Sequence, residues 1–352
     1  MSQTTLVIVP YRSFGTPATI FVRGRVLHDR LPDVAAPGQS PWHNLRDALR
    51  RIESDEARNV MLEVTHGAQA VQTITDDEGY FEVHLSPAPP THGADGWCTV
   101  SVTAPAARQA SALSPDAPLA QAVGEVLIPP PTARFGVISD IDDTILQTQA
   151  TNLVRSAWVT LLQNAATRLP FPGVAALYRA LQGGVTGDEH NPIFYVSSSP
   201  WNLYDFLVEF MQVRGIPAGP IFLRDYGIDM LTQALSHEHK LDAMRRVLDA
   251  YPHLPFVLMG DSGQKDPELY TRLVEQYPGR VLAIYIRDVS GAPRDAVVDA
   301  LATALQAQGV PLLRVADSLV AARSAAALGL IAAAALDTVQ AAMPDAEAHH
   351  AA

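Results

Sequence analysis

The sequence predicts an α/β protein. Its second half reads as an open, doubly wound parallel sheet, and a β-rich, sandwich-like domain precedes it. Three observations carry that expectation. Beyond residue 134, short and wholly apolar segments alternate with segments of helical period, and a strand with no polar face is buried on both sides. Before residue 130, apolar and polar residues alternate over short stretches, as in strands with one wet face. Between the halves lies "LIPPPTAR", whose Pro129, Pro130 and Pro131 make a stiff, extended spacer. The expected domains are therefore 1–130 and 131–345, with a frayed tail at 346–352.

In the first half the strands are "TIFVRGRVL", "VMLEVTHG", "VQTITDDEGYFEVHL" and "WCTVSVTA". Asp76, Asp77 and Gly79 supply the polar and positive-φ residues of a hairpin turn. One helical insert, "WHNLRDALRRIESDEA", has Leu45, Leu49 and Ile52 at helical spacing. The second half offers the strands "FGVIS", "IFYVS", "IFLRD", "FVLMGD", "VLAIYIRD" and "VPLLRV". Helices such as "VAALYRALQGG", "WNLYDFLVEFMQVRG", "KLDAMRRVLDAY" and "PELYTRLVEQYPG" fall between them. Right-handed crossovers would place function at the carboxyl ends of these strands.

A chain of 352 residues is long enough for two domains, and 48% apolar residues can fill their cores. Acids outnumber bases 37 to 25, for a net charge of −12, which argues against a dedicated binder of nucleic acid or anionic membranes. The single Cys98 excludes an internal disulfide framework and a cysteine zinc cluster, and reads as core filler. The first residues lack a basic region followed by an apolar one, so no signal peptide is expected. The longest apolar or small run, "SAAALGLIAAAAL", has 13 residues, too few for a membrane span. The expectation is a cytoplasmic protein with no stable membrane insertion.

The chemistry concentrates in "RFGVISDIDDTILQT", where a buried-looking strand runs into Asp140, Asp142 and Asp143. Asp140 is the first polar residue beyond the strand, and Asp142 points the same way. Crowded carboxylates are costly unless a cation neutralises them, and hard oxygen ligands suit Mg²⁺. Asp261 follows another apolar strand, with Asp266 five residues on. Ser197, Ser198 and Ser199 follow a third, and "SSSP" reads as a helix N-cap with Pro200 at the first helical position. A serine hydroxyl with helix N–H groups makes a phosphate-oxygen site, and either Ser197 or Ser198 fits. Lys240, read at a helix start, could reach a phosphate as a point charge, with Lys265 as the alternative. Blander readings stand beside these. Three acids in four residues can cap a helix or line a turn. His237 and His239 have the wrong spacing for a helical metal face. Trp201 and Tyr204 read as core. His349 and His350 read as tail.

Acids, hydroxyl, lysine and a second acid pair, in that order, resemble the haloacid dehalogenase (HAD) superfamily. The matching pieces are "DIDDT" at Asp140 to Thr144, Ser197, Lys240 and "GDSGQKD". More narrowly, "DIDDTI", "FYVSSSPWNLY" and "GDSGQKDPELY" are similar to the actin-patch-type phosphatidate phosphatase catalytic domain family. The resemblance implies a HAD-like fold and a two-step phosphoryl transfer. Asp140 would be the nucleophile and form an aspartyl-phosphate, with Asp142 as general acid and base. Mg²⁺ would sit on Asp140, the Asp142 backbone carbonyl and Asp261. Ser197 and Lys240 would hold phosphate oxygens, and Asp266 would orient Lys240 or metal-bound water. Thr144 would shape the turn or bond near Asp142. Asp143 would be a helix N-cap or an outer ligand.

Neither gap between motifs has room for a large cap domain, which favours a bulky or surface-embedded substrate. "QGGVTGDEHN" reads as a mobile flap near the site. The expected partner is a phosphorylated substrate such as phosphatidate or a related lipid phosphate, met by transient peripheral contact with a membrane. Polynucleotide ends and phosphoproteins are the enzymatic alternatives, and the net charge weighs against the former. The non-enzymatic alternative is a binding protein working through its N-terminal sandwich.

Overall fold

The computed structural model describes residues 4–30, 55–86, 93–105, 120–145, 171–224 and 233–343. Most of the helical insert expected at 42–57 lies outside these residues, and its described end, Asp55–Glu56, is a short strand. The helix expected in "TNLVRSAWVTLLQNAATRL" and the tail at 346–352 also lie outside them, as does most of the loop "YGIDMLTQALSHE". The chain divides into two compact units. One is Met1–Pro129 with Asn202–Glu209; the other is Pro130–Trp201 with Phe210–Ala352.

Among the described residues, the first unit has nine strands joined in one hydrogen-bonded network. These are β1 (Thr4–Pro10), β2 (Ser13–Gly15), β3 (Ile20–Arg30), β4 (Asp55–Glu56), β5 (Met61–His66), β6 (Gln69–Ile74), β7 (Tyr80–Leu85), β8 (Trp97–Thr103) and β9 (Gln121–Leu127). The order is β1-β3-β2-β9-β8-β5-β6, with β4 and β7 also paired to β3. Pairing is antiparallel except between β2 and β9. Alternate residues such as Leu62, Val64, Phe81, Val83, Val100 and Val102 point into one core, and Cys98 lies among them. The turn at "TDDEGYF" forms as its residues require. Gly79 has φ 80°, and Asp76 Oδ1 accepts from the Glu78 and Tyr80 amides. It is not a hairpin, however. β6 pairs with β5 and β7 with β3, so the turn is a corner between two different pairings. Local turn chemistry sets the bend and leaves the strand partners open.

In the second unit, six strands form a wholly parallel sheet in the order β12-β11-β10-β13-β14-β15. They are β10 (Gly136–Ser139), β11 (Ile193–Pro200), β12 (Ile221–Arg224), β13 (Phe256–Asp261), β14 (Val281–Arg287) and β15 (Leu312–Val315). All six apolar segments read from the sequence are strands. β10 and β13 are buried throughout, as continuous apolar composition demands. The helices among the described residues from 171 on are α1 (Val174–Gly183), α2 (Tyr204–Val213, of which the part through Glu209 groups with the first unit), α3 (Gln233–Ala250), α4 (Asp266–Gln276), α5 (Ala292–Gln306), α6 (Ser318–Ala327) and α7 (Ala335–Ala341). α1 packs with α6 and α7, and α4 packs with α3 and α5, as a doubly wound sheet requires. Strand order reverses between β10 and β13, and such sheets open a crevice at the carboxyl ends of the strands there.

The Ala-rich stretch 316–343 holds two short helices separated by Gly329 at φ 69°. One expectation needs correction here. "QGGVTGDEHN" is not a flap at the site. It leads into the start of β11, whereas the serines stand at that strand's other end. It is also anchored. Buried Glu189 accepts from the Val185 amide and from Asn191 Nδ2, and Asn191 Oδ1 accepts from the Arg134 and Phe135 amides. No described helix is long and apolar enough to cross a membrane.

Candidate active site

Asp140 follows β10 and Asp261 ends β13, so the two acids flank the reversal of strand order. Asp266 opens α4, and Lys240 reaches the same point from α3. All four side chains are buried, and Lys240 is only 3% exposed. Lys240 Nζ donates to Asp140 Oδ1 at 2.8 Å and to Asp266 Oδ1 at 2.9 Å. The backbone N–H of Asp261 donates to Asp266 Oδ2 at 3.3 Å. Lys240 is therefore not at a helix start, as the sequence suggested. "QALSHEH" contains no Gly or Pro, and α3 begins at Gln233, before it.

Electrostatics follow from this crowding. Burial, with Asp266, Asp142 and Asp261 nearby, holds Asp140 well above the usual carboxylate range, although Lys240 pulls the other way. Burial and the Asp266 charge push Asp261 up to about 8. Burial alone would lower the Lys240 ammonium, but Asp140 and Asp266 outweigh it and raise it above its ordinary value. One lysine does not neutralise this many carboxylates.

Asp142 belongs to a second, adjoining cluster. Its Oδ2 accepts from Ser197 Oγ at 2.7 Å and from Ser199 Oγ at 3.1 Å. Burial raises Asp142, and the Ser197 hydrogen bond opposes that rise. Its Oδ1 is buried with no hydrogen-bond partner among the described residues. The serines stand differently from the sequence reading. β11 runs through "IFYVSSSP" to Pro200, so "SSSP" is strand and not a helix N-cap. The pairing shifts between Val196 and Pro200, and a 3₁₀ turn over Trp201–Leu203 intervenes before α2. Strand alternation puts Ser197 and Ser199 on one face and leaves Ser198 off it. Ser197 Oγ also accepts from the Ser199 amide. Trp201 and Tyr204 are buried, as expected of core residues.

The turn after Asp142 places Asp143 at φ 51°, a left-handed conformation that aspartate tolerates better than most residues. Thr144 Oγ1 is buried and bonds nothing among the described residues, so the expected bond near Asp142 is absent there. Lys265 pairs with Glu268 at 3.6 Å on the surface, away from this cluster. The side chain of His237 lies outside the described residues.

Asp140, Asp261 and Asp266 each offer one oxygen within 4.8 Å of the others. Asp261 Oδ1 accepts from the Gly263 and Gln264 amides, while its Oδ2 is buried without a partner among the described residues. Hard oxygens, excess negative charge and an orphaned carboxylate oxygen fit a divalent cation. The Asp142 carboxylate is outside this group, and the resemblance placed only its backbone carbonyl on the cation, whereas Asp266, expected to orient Lys240 or metal-bound water, stands within the group.

Sequence reasoning missed two residues. Gln264 Oε1 accepts from Lys240 at 3.2 Å, and its Nε2 lies 3.5 Å from Asp140 Oδ2. The residue sits inside "GDSGQKD", but only the acids of that string carry a chemical signal. Tyr178 Oη and Ser139 Oγ lie 2.6 Å apart, and Ser139 Oγ donates to the Asp140 carbonyl. Nothing in the α1 sequence distinguishes Tyr178 from core.

Residues 135–288 match the family model described as "Phosphatidate phosphatase APP1, catalytic domain". The Phosphatidate phosphatase APP1 of Saccharomyces cerevisiae is 35% identical over 163 residues, covering 46% of this chain and 27% of that protein. An uncharacterized protein of Schizosaccharomyces pombe is 28% identical over 157 residues, covering 44% of this chain and 25% of its own length. The chain thus spans about a quarter of each of these curated relatives. Among solved structures, a carbohydrate acetylesterase from Xanthomonas citri aligns over 86% of this chain and 75% of its own. Its TM-score is 0.29 at 13% identity, and a likeness that low carries no argument. The family match covers all four acids, Ser197 and Lys240, and by it the segment 135–288 is similar to the phosphatidate phosphatase APP1 catalytic domain.

Proposed function

We propose that the chain is a Mg²⁺-dependent phosphoric monoester hydrolase acting on a lipid phosphate such as phosphatidate, in a HAD-like domain that follows a sandwich-like one divided from it at Pro129–Pro131. The observation that carries this reading is Asp140, a buried carboxylate held by Lys240 beside Asp261 and Asp266 at the reversal of strand order.

Asp140, Asp261 and Asp266 would hold the cation, with the Asp142 backbone carbonyl beside them. Bound there, it supplies the positive charge that keeps these carboxylates ionised and lets an anionic phosphate approach them. Asp140 attacks phosphorus and the ester oxygen leaves, which forms an aspartyl-phosphate that water then hydrolyses. Asp142, its proton affinity raised by burial and tuned by Ser197, gives the leaving oxygen its proton and takes one from the water. Lys240 and Asp266 fix the Asp140 rotamer.

The test is phosphate release by wild type and Asp140→Asn, with and without Mg²⁺, from p-nitrophenyl phosphate and from phosphatidate in detergent micelles. Mg²⁺-dependent release by wild type alone supports the reading, and preference for phosphatidate supports the lipid. Release by Asp140→Asn at the wild-type rate refutes the mechanism.

A further inference from the structure

We propose that Gln264 is a phosphate-binding residue of this site, whose side-chain amide donates to an oxygen of the bound phosphate; the inference rests on the phosphatase reading above. It comes from counting hydrogen-bond donors. Lys240 Nζ has three N–H groups, and all three are engaged, by Asp140 Oδ1, Asp266 Oδ1 and Gln264 Oε1. Ser197 and Ser199 have one O–H each, and both point to Asp142 Oδ2. Lys240, Ser197 and Ser199 thus have their donors committed elsewhere. Gln264 Nε2 has two N–H groups, and among the described residues its one hydrogen-bond contact is the long 3.5 Å approach to Asp140 Oδ2. That contact is too long to hold the carboxylate by itself.

The amide is nonetheless aimed. An ammonium offers only donors, so the carbonyl end of Gln264 must face Lys240 and the NH₂ end must face Asp140. The backbone beneath it is pinned. Asp261 Oδ1 accepts from the Gly263 and Gln264 amides at 2.7 and 2.9 Å. Arg294 donates to the Ser262 and Gln264 carbonyls, and Glu268 holds the same guanidinium through both oxygens. Gln264 is half-buried, whereas Asp140 and Lys240 are buried, so it stands on the solvent side of the nucleophile. A phosphate oxygen arriving at Asp140 Oδ2 meets a neutral donor already in place. Such preorganised donors stabilise developing negative charge most effectively. The amide also adds no charge to a cluster already rich in it.

The experiment compares wild type, Gln264→Ala and Gln264→Glu in Mg²⁺. Orthophosphate affinity is measured by calorimetry, alongside kcat and KM for p-nitrophenyl phosphate. Losing one donor to an anion weakens orthophosphate binding and lowers kcat/KM by about ten- to a hundredfold. Gln264→Glu loses more, because a carboxylate then faces both Asp140 and phosphate. A merely structural role is separated by ¹⁵N-glutamine labelling. The Gln264 side-chain resonance, assigned by its absence from either variant, shifts when orthophosphate is added to wild type. Unchanged affinity in Gln264→Ala, or an unmoved resonance at saturating orthophosphate, overturns this proposal and leaves the phosphatase reading standing. Wild type that neither binds orthophosphate nor releases phosphate overturns both.

Discussion

Replacing Lys240 with Met tests the electrostatic argument most directly. Methionine keeps most of the apolar stem and removes the ammonium, so the packing change is small. What is lost is the buried charge that donates to Asp140 and Asp266 at 2.8 and 2.9 Å. Breaking a buried pair by removing one partner costs about 3–5 kcal/mol, because the other charge stays uncompensated. For a domain of this size that lowers Tm by about 6–20 °C, at about 2–4 °C per kcal/mol. The cost depends on pH. Asp261 is pushed up to about 8, so it carries a proton at pH 5 and the cluster needs the lysine less; burial raises Asp140 in the same direction. Urea unfolding of both proteins at pH 5 and pH 8, in chelator, reads the difference. The expected loss is full at pH 8 and clearly smaller at pH 5. A loss below about 1 kcal/mol at pH 8, or an equal loss at both values, would refute the claim that Lys240 compensates ionised carboxylates.

Two further outcomes follow from the same geometry. In chelator, the folded Asp261 binds its proton up to about pH 8, while an unfolded aspartate releases it near pH 4. Its contribution to stability is therefore fully present below about pH 4 and is lost as pH rises toward 8. Subtracting the unfolding profile of Asp261→Asn isolates that slope, Mg²⁺ should restore stability most at the alkaline end, and identical profiles for the two proteins would contradict the assignment. Gly260→Ala places a Cβ 2.6 Å from Asp266 Oδ2 and 2.8 Å from Asp266 Cβ. Displacing Asp266 should cost about 1–3 kcal/mol of stability and weaken Mg²⁺ binding in calorimetry; wild-type values for both would show that Asp266 is not fixed where the structure puts it.

The sequence determined the parts of this protein whose causes are local. Six apolar segments could be read as parallel strands because a strand buried on both faces has no polar residue to betray a register. Asp140 and Asp261 could be read as site residues because an acid just past such a strand must stand at the sheet's carboxyl edge. The corner at Asp76–Gly79 announced its bend through turn residues alone. Tertiary structure decided what depends on partners far away in the chain. "SSSP" carries every local signal of a helix cap, yet Asp142 draws two of its hydroxyls and the strand continues through it. The helical string "KLDAMRRVL" says nothing of burial at Lys240, which is set by Asp140, 100 residues away in the chain. Gln264 has no chemical signature of its own. Only the packing of β10, α3 and the loop after β13 around one point puts its amide beside Asp140, and a one-dimensional pattern cannot record which side chains a folded chain brings together.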